Sequence, residues 1–149
     1  MPLIQKILAP VDFSPHSRRA LQYAADLGLQ IGATVDVLHM WKPNESIWPD
    51  VVIEPEGSPA EKLETLGRIE GVRALDEFVA EVLGERASSV RLRYGLGAPD
   101  AGTLTLARDE KIDLIVMGTH GRTGLAHAVL GSVAEKIIRS APCPVMTLR

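Results

Sequence analysis

Apolar positions fall into short runs separated by longer segments of helical spacing, and the two alternate along the chain. The run "LIQKILAP", residues 3–10, predicts a first strand. Ser14 followed by Pro15 predicts a helix start, because a serine hydroxyl can accept from a free amide while proline at the first position forfeits no bond. Ala20, Leu21, Ala24, Leu27 and Ile31 share one face of that helix, and Gly32 is its stop. "TVDVLHMW", residues 34–41, predicts the second strand. Residues 42–57 carry three prolines and no usable period, so they read as a long surface loop and a candidate lid. Ser58 to Glu61 has capping-box spacing and predicts a helix running to about Gly84, with Leu63, Leu66, Ile69, Leu75, Val79 and Val82 inward. Gly67 and Gly71 count against it, each costing about 1 kcal/mol relative to alanine. "SSVRLRYG" alternates as a strand with Val90, Leu92 and Tyr94 on one face, and Pro99 opens a helix to about Glu110. "DLIVMG" is a continuous apolar run of the kind covered on both faces, residues 130–140 predict the last helix, and "CPVMTL" predicts the last strand.

The resulting order, β-α-β-α-β-α-β-α-β, implies an α/β fold, an open five-stranded parallel sheet with helices on both faces and right-handed crossovers. In such sheets ligands bind beyond the carboxyl ends of the strands, where the strand order switches. That rule points to "PVDFS" after the first strand and "GTHGRTG" after the fourth.

Composition narrows the function classes. A chain of 149 residues fits one domain, residues 1–149. The net charge of −3 supplies no basic field for nucleic acid or an anionic membrane. No segment is long and apolar enough to span a bilayer, and "MPLIQKILAP" lacks the pattern of a secretory signal. The single cysteine, Cys143, excludes an intramolecular disulfide and a cysteine-based metal cage, so a cytoplasmic location is expected. His16, His39, His120 and His127 show no zinc spacing, and the Gly-x-Ser-x-Gly elbow of a serine hydrolase is absent.

Two glycine-bearing stretches invite a phosphate reading. "GLGAPDAG", residues 95–102, has the wrong spacing for a dinucleotide fingerprint and follows the third strand, so it reads as a tight turn into a helix. "GTHGRTGLAHAVLGS", residues 118–132, stands where the topology puts ligands. Its glycines permit close backbone approach, and Gly131 and Ser132 open the last helix, where free amides favour an anion. His120 and Arg122 add positive charge. Taken on composition alone, a capped glycine-bearing loop explains the same residues equally well. Asp12 poses a similar choice between binding a ribose hydroxyl or a phosphate-bound magnesium ion and forming an Asx turn before Ser14.

The spacing Gly118-x2-Gly121-x9-Gly131-Ser132 resembles the G-x2-G-x9-G-[S/T] motif of nucleotide-binding universal stress proteins. The resemblance extends to "KILAPVDFS", "VLHMW", "DLIVMGTHGRTGL" and "LGSVAEKIIRSAPCPVMTLR", leaving only residues 42–86 without family-specific wording. It implies an adenine nucleotide alpha hydrolase-like, Rossmann-like domain that binds ATP or AMP, with magnesium accompanying ATP. On that resemblance Pro10, Val11 and Asp12 lie near base and ribose, and the backbone of Met40 contacts adenine. Met117 and Gly118 flank ribose and phosphate, while Gly121, Arg122, Gly131, Ser132 and Val133 line the phosphates. It further implies a homodimer through the last strand, Cys143 to Leu148, and a role in sensing or signalling nucleotide state. Two rival readings are a slow ATPase or autophosphorylating enzyme using Ser132 or Thr123, for which no general base is evident, and a nucleotide-free interaction module.

Overall fold

A computed structural model describes residues 3–42, 59–120 and 130–149, with side chains from residue 66 onward in the second helix. The chain order is β1 (Lys6–Pro10), α1 (Pro15–Ile31), β2 (Thr34–Trp41), α2 (Pro59–Leu83), a short 3₁₀ helix (Gly84–Ser89), β3 (Val90–Leu96), α3 (Pro99–Asp109), β4 (Leu114–Gly118), α4 (Ser132–Ser140) and β5 (Val145–Leu148). All strands are parallel, in the order β3-β2-β1-β4-β5, so the direction of winding reverses between β1 and β4. The alternation predicted from sequence is thus realised, with the 3₁₀ helix, among the described residues, as an unforeseen element.

Each face of the sheet has its own core. Ile7, Ala9, Val35, Val37 and Val116 pack under α1 and α2, while Leu8, Leu38, Ile115 and Met117 pack under α3 and α4. The period-2 split within β1, Ile7 and Ala9 against Leu8, follows from alternating side-chain direction in a strand.

α1 starts as expected: Ser14 caps it by accepting from Ser17 N–H, Pro15 occupies the first turn, and Gly32 ends it at φ +72°. Ile31, expected inside, is 46% exposed. α2 requires a larger correction. Leu75, Val79 and Val82 are buried as expected, but Leu66 and Ile69 are 47% and 60% exposed, and the side chain of Leu63 lies outside the described residues. The buried face of the first described turns is instead Gly67 and Gly71. A Cβ at Gly67 would meet the Trp41 ring, and one at Gly71 would meet the Tyr94 ring. Tyr94 Oη–H also donates to the Gly67 carbonyl at 2.9 Å, and burial pushes the phenol up from its ordinary pKa. These glycines seat two aromatic rings from β2 and β3 against the helix, so they fit the helix rather than opposing it.

The last strand starts later than predicted. It begins at Val145, because Pro142 and Pro144 lack ladder N–H donors, although the Pro144 carbonyl still accepts from Ile115. Cys143 therefore precedes β5, and the last helix begins at Ser132 rather than residue 130. The edge strand β3 is held by charge: Asp36 on β2 is 1% exposed and accepts from Arg91 at 2.6 and 3.1 Å, while Arg93 reaches both Asp36 and Glu110. Among the described residues no helix is long and apolar enough to cross a membrane.

Candidate nucleotide site

The crevice at the switch point arises from where backbone pairing stops. Lys6 accepts from Asp113 N–H on the β4 side, so the alternation of backbone direction aims Lys6, Leu8 and Pro10 toward β4. Pro10 has no N–H to offer, and pairing between β1 and β4 extends only over Ile7 and Leu8. On the other side β1 pairs with β2 through Pro10 and Leu38, but β2 continues to Trp41. Leu38 accepts from Val11 N–H at 2.8 Å, so Leu38 faces β1, and two residues on Met40 directs its N–H and C=O the same way, past the end of β1. Among the described residues no strand lies beside Met40 there, and its backbone edge faces the crevice.

The turn after β1 is held by several bonds. Val11 turns its carbonyl to His39, whose Nδ1–H donates at 3.0 Å. Asp12 Oδ1 accepts from Ser14 N–H at 3.0 Å, which is the Asx turn weighed above. That bond uses one of roughly four lone-pair positions on a carboxylate, so the turn and a ligand role for Asp12 are chemically compatible. Phe13 adopts φ +67°, a left-handed conformation uncommon for a non-glycine residue. Its ring stacks on His39 with centroids 4.2 Å apart and tilts against Phe78 at 5.1 Å, contacts that hold the strained turn. The sequence reading passed over Phe13 and His39 in this role; the aromatic residue directly after Asp12 was the available signal.

The β4 side meets this turn directly. Gly118 packs against the start of α1: a Cβ there would stand 2.7 Å from His16 Cβ, 2.8 Å from its carbonyl carbon and 3.1 Å from its carbonyl oxygen. The first glycine of the motif thus has a packing reason that is independent of any ligand. Beyond it, Thr119 N–H donates to Leu148 on β5, and Thr119 Oγ1 pairs with His120 Nδ1 at 3.0 Å. The rings of His16 and His120 approach to 5.3 Å between centroids, and among the described residues the buried His16 Nδ1 has no hydrogen-bond partner.

At the start of α4 one expectation changes. The Gly131 N–H, expected to face an anion, donates instead to the Thr119 carbonyl at 2.6 Å. Gly131 is the N-cap with φ −72° and contributes no side-chain cap, so the first-turn amides of Ser132 and Val133 carry the anion-binding capacity of the helix end. The link from Thr119 to Gly131 ties this helix start to the end of β4.

Pro10, Val11, Asp12, Met40, Met117, Gly118, His120, Gly131, Ser132 and Val133 therefore all lie at the carboxyl end of the sheet, on or beside β1, β2 and β4. Met117 is buried in the α3–α4 core. Gly121 and Arg122, along with Thr123 and Gly124, lie outside the described residues. Among the described residues no group of three or more His, Cys, Asp or Glu could hold a metal ion.

The model of the universal stress protein family matches residues 3–149. A universal stress protein of Methanocaldococcus jannaschii is 35% identical over 149 residues, covering 99% of this chain and 83% of its own length. One from Thermus aquaticus is 36% identical over 147 residues, covering 99% of this chain and 100% of its own. Among solved structures, a second Methanocaldococcus jannaschii protein matches with a TM-score of 0.78 at 27% identity, covering 99% of this chain and 96% of its own. A universal stress protein solved in complex with cAMP matches with a TM-score of 0.69 at 23% identity, covering 99% of each chain.

Proposed function

We propose that this chain, which belongs to the universal stress protein family, binds an adenine nucleotide, ATP or AMP, at the switch-point crevice and reports nucleotide state as a cytoplasmic homodimer. The observation that carries the reading is convergence: the parting of β1 from β4 at Pro10, the outward backbone edge of Met40 and the start of α4 at Ser132 and Val133 open on the same end of the sheet. The crevice offers, in order, edge donors and acceptors for a base at Met40, a carboxylate for ribose at Asp12, and amides for phosphates at α4. Proteins of the same fold solved with cAMP and with dAMP lend further support.

Magnesium fits only as a companion of the nucleotide. Mg²⁺ sites of this kind use one or two carboxylates plus substrate phosphates, and Asp12 is a carboxylate at the crevice. The ion would neutralise phosphate charge, and Asp12 would hold it at its carboxylate.

The dimer reading rests on the exposed edge of β5. Leu148 and Pro144 turn their carbonyls toward β4, so the alternation aims Val145 and Thr147 outward, where their backbone groups can pair with a second copy across a two-fold axis.

Isothermal titration of ATP and AMP into the full chain tests the ligand. Saturable binding is expected, weakened in Ser132→Ala, which removes a hydroxyl able to donate to a phosphate beside the α4 amides, and the absence of binding to either nucleotide would sink the reading. For the dimer, Thr147→Pro removes an outward N–H without taking one from β4. Light scattering should then give a monomer mass; an unchanged dimer mass places the interface elsewhere.

A further inference from the structure

One side chain grips the turn after β1 on both sides of Asp12. His39 Nδ1 lies 3.0 Å from the carbonyl of the preceding residue, Val11, and the His39 ring stacks on the following residue, Phe13, with centroids 4.2 Å apart. A carbonyl can only accept, so Nδ1 carries a proton. We infer that His39 is a positioning residue of the nucleotide site, holding Asp12 at the angle from which its carboxylate meets the ligand. This rests on the nucleotide reading above and adds to it a residue that acts without touching the ligand.

His39 works from the far face of the sheet. Alternation from Val37, which is buried under α1 and α2, sends the His39 side chain to that face, whereas the side chain of its neighbour Met40 lies on the α3 side. Its action therefore passes through the backbone. The Val11–Asp12 peptide is trans, so the Asp12 N–H points away from the carbonyl that His39 holds and reaches toward Ser17 Oγ, 3.4 Å away. That peptide plane is thus held from β2 on one side and from α1 on the other. The Asx bond from Ser14 N–H to Asp12 Oδ1 then fixes the carboxylate relative to the plane.

Phe13 supplies the reason for the grip. At φ +67° its Cβ crowds the backbone, and such a residue stays there when its surroundings over-determine it. His39 and Phe78 confine its ring from two directions. Behind His39 stands Tyr94, 6.2 Å away between centroids and itself tied to α2 through the Gly67 carbonyl. Without the imidazole, Phe13 gains room to relax toward negative φ and carries Asp12 with it.

Calorimetric titration of AMP into the full chain and a set of variants tests this, with the fitted stoichiometry reporting the folded fraction. His39→Phe keeps an aromatic ring against Phe13 but offers Val11 no N–H, and it should weaken AMP about tenfold. His39→Asn puts an amide nitrogen where Nδ1 stands, and it should recover affinity to within about threefold of the parent, a rescue that ring packing would not give. Asp12→Asn keeps an oxygen for the Asx turn while removing the charge. In that background His39→Phe should cost less than about threefold, because the group it positions is already impaired. Losses that simply add, His39→Asn binding as weakly as His39→Phe, or His39→Phe binding as the parent does would each overturn the inference while nucleotide binding stands. If the parent binds neither AMP nor ATP, the nucleotide reading falls and this one with it.

Discussion

Gly118 and Gly102 stand at the same end of the sheet, each in a glycine-bearing stretch that looks like a phosphate loop, yet they exclude a side chain for different reasons. Gly118 faces the backbone of His16, which belongs to the first turn of α1 and cannot move without moving the helix start. Gly102 faces the end of the Met40 side chain, which has several rotatable bonds. A glycine in a motif therefore tells little until its neighbour is known to be hard or soft.

Substitutions can break that contrast. Gly118→Ala should cost the most, about 2 kcal/mol, the size expected when overpacking forces backbone to shift. Urea denaturation measures it, and a loss below about 0.5 kcal/mol would mean that α1 yields as readily as a side chain. Gly84→Ala separates backbone strain from collision, since nothing lies within 4 Å of the added Cβ and φ is +57°. A loss of about 1 kcal/mol is expected there from the left-handed conformation alone. Gly102→Ala should fall within about 0.5 kcal/mol of the parent, because the helix-propensity gain offsets the displacement of Met40.

The smallest effect concerns charge. The hydrogen bond from Arg93 holds the Glu110 carboxyl below its ordinary pKa. Its contribution to stability is therefore present above the unfolded-state value and is lost as pH falls through the lower folded-state value. Glu110→Gln should be slightly less stable than the parent at neutral pH and converge with it in acid. A difference that grows toward low pH contradicts the assignment.

Much of this was legible in the chain. Ser14, Pro15 and Gly32 mark the ends of α1 with local chemistry, and β2 occupies the predicted residues because its ends are set by apolar patterning. The inner face of α2 was misread for a physical reason: the residues that approach the sheet most closely, Gly67 and Gly71, carry no apolar side chain to count, while Leu66 and Ile69 point outward. The placement of Pro10, Asp12, Met40 and Ser132 at one end of the sheet followed from strand alternation and the switch-point rule. The use of the Gly131 amide by Thr119, and of Gly118 by His16, did not, since each depends on a close approach between segments far apart in sequence.

Pro10 carries a consequence of its own. A residue with an N–H at that position could extend the ladder between β1 and β4 by another bond and close part of the gap. The protein forgoes that cohesion where the crevice begins, so a variant selected purely for thermal resistance would be drawn toward sealing it. Selection for robustness and selection for ligand capacity thus pull in opposite directions on one imino acid.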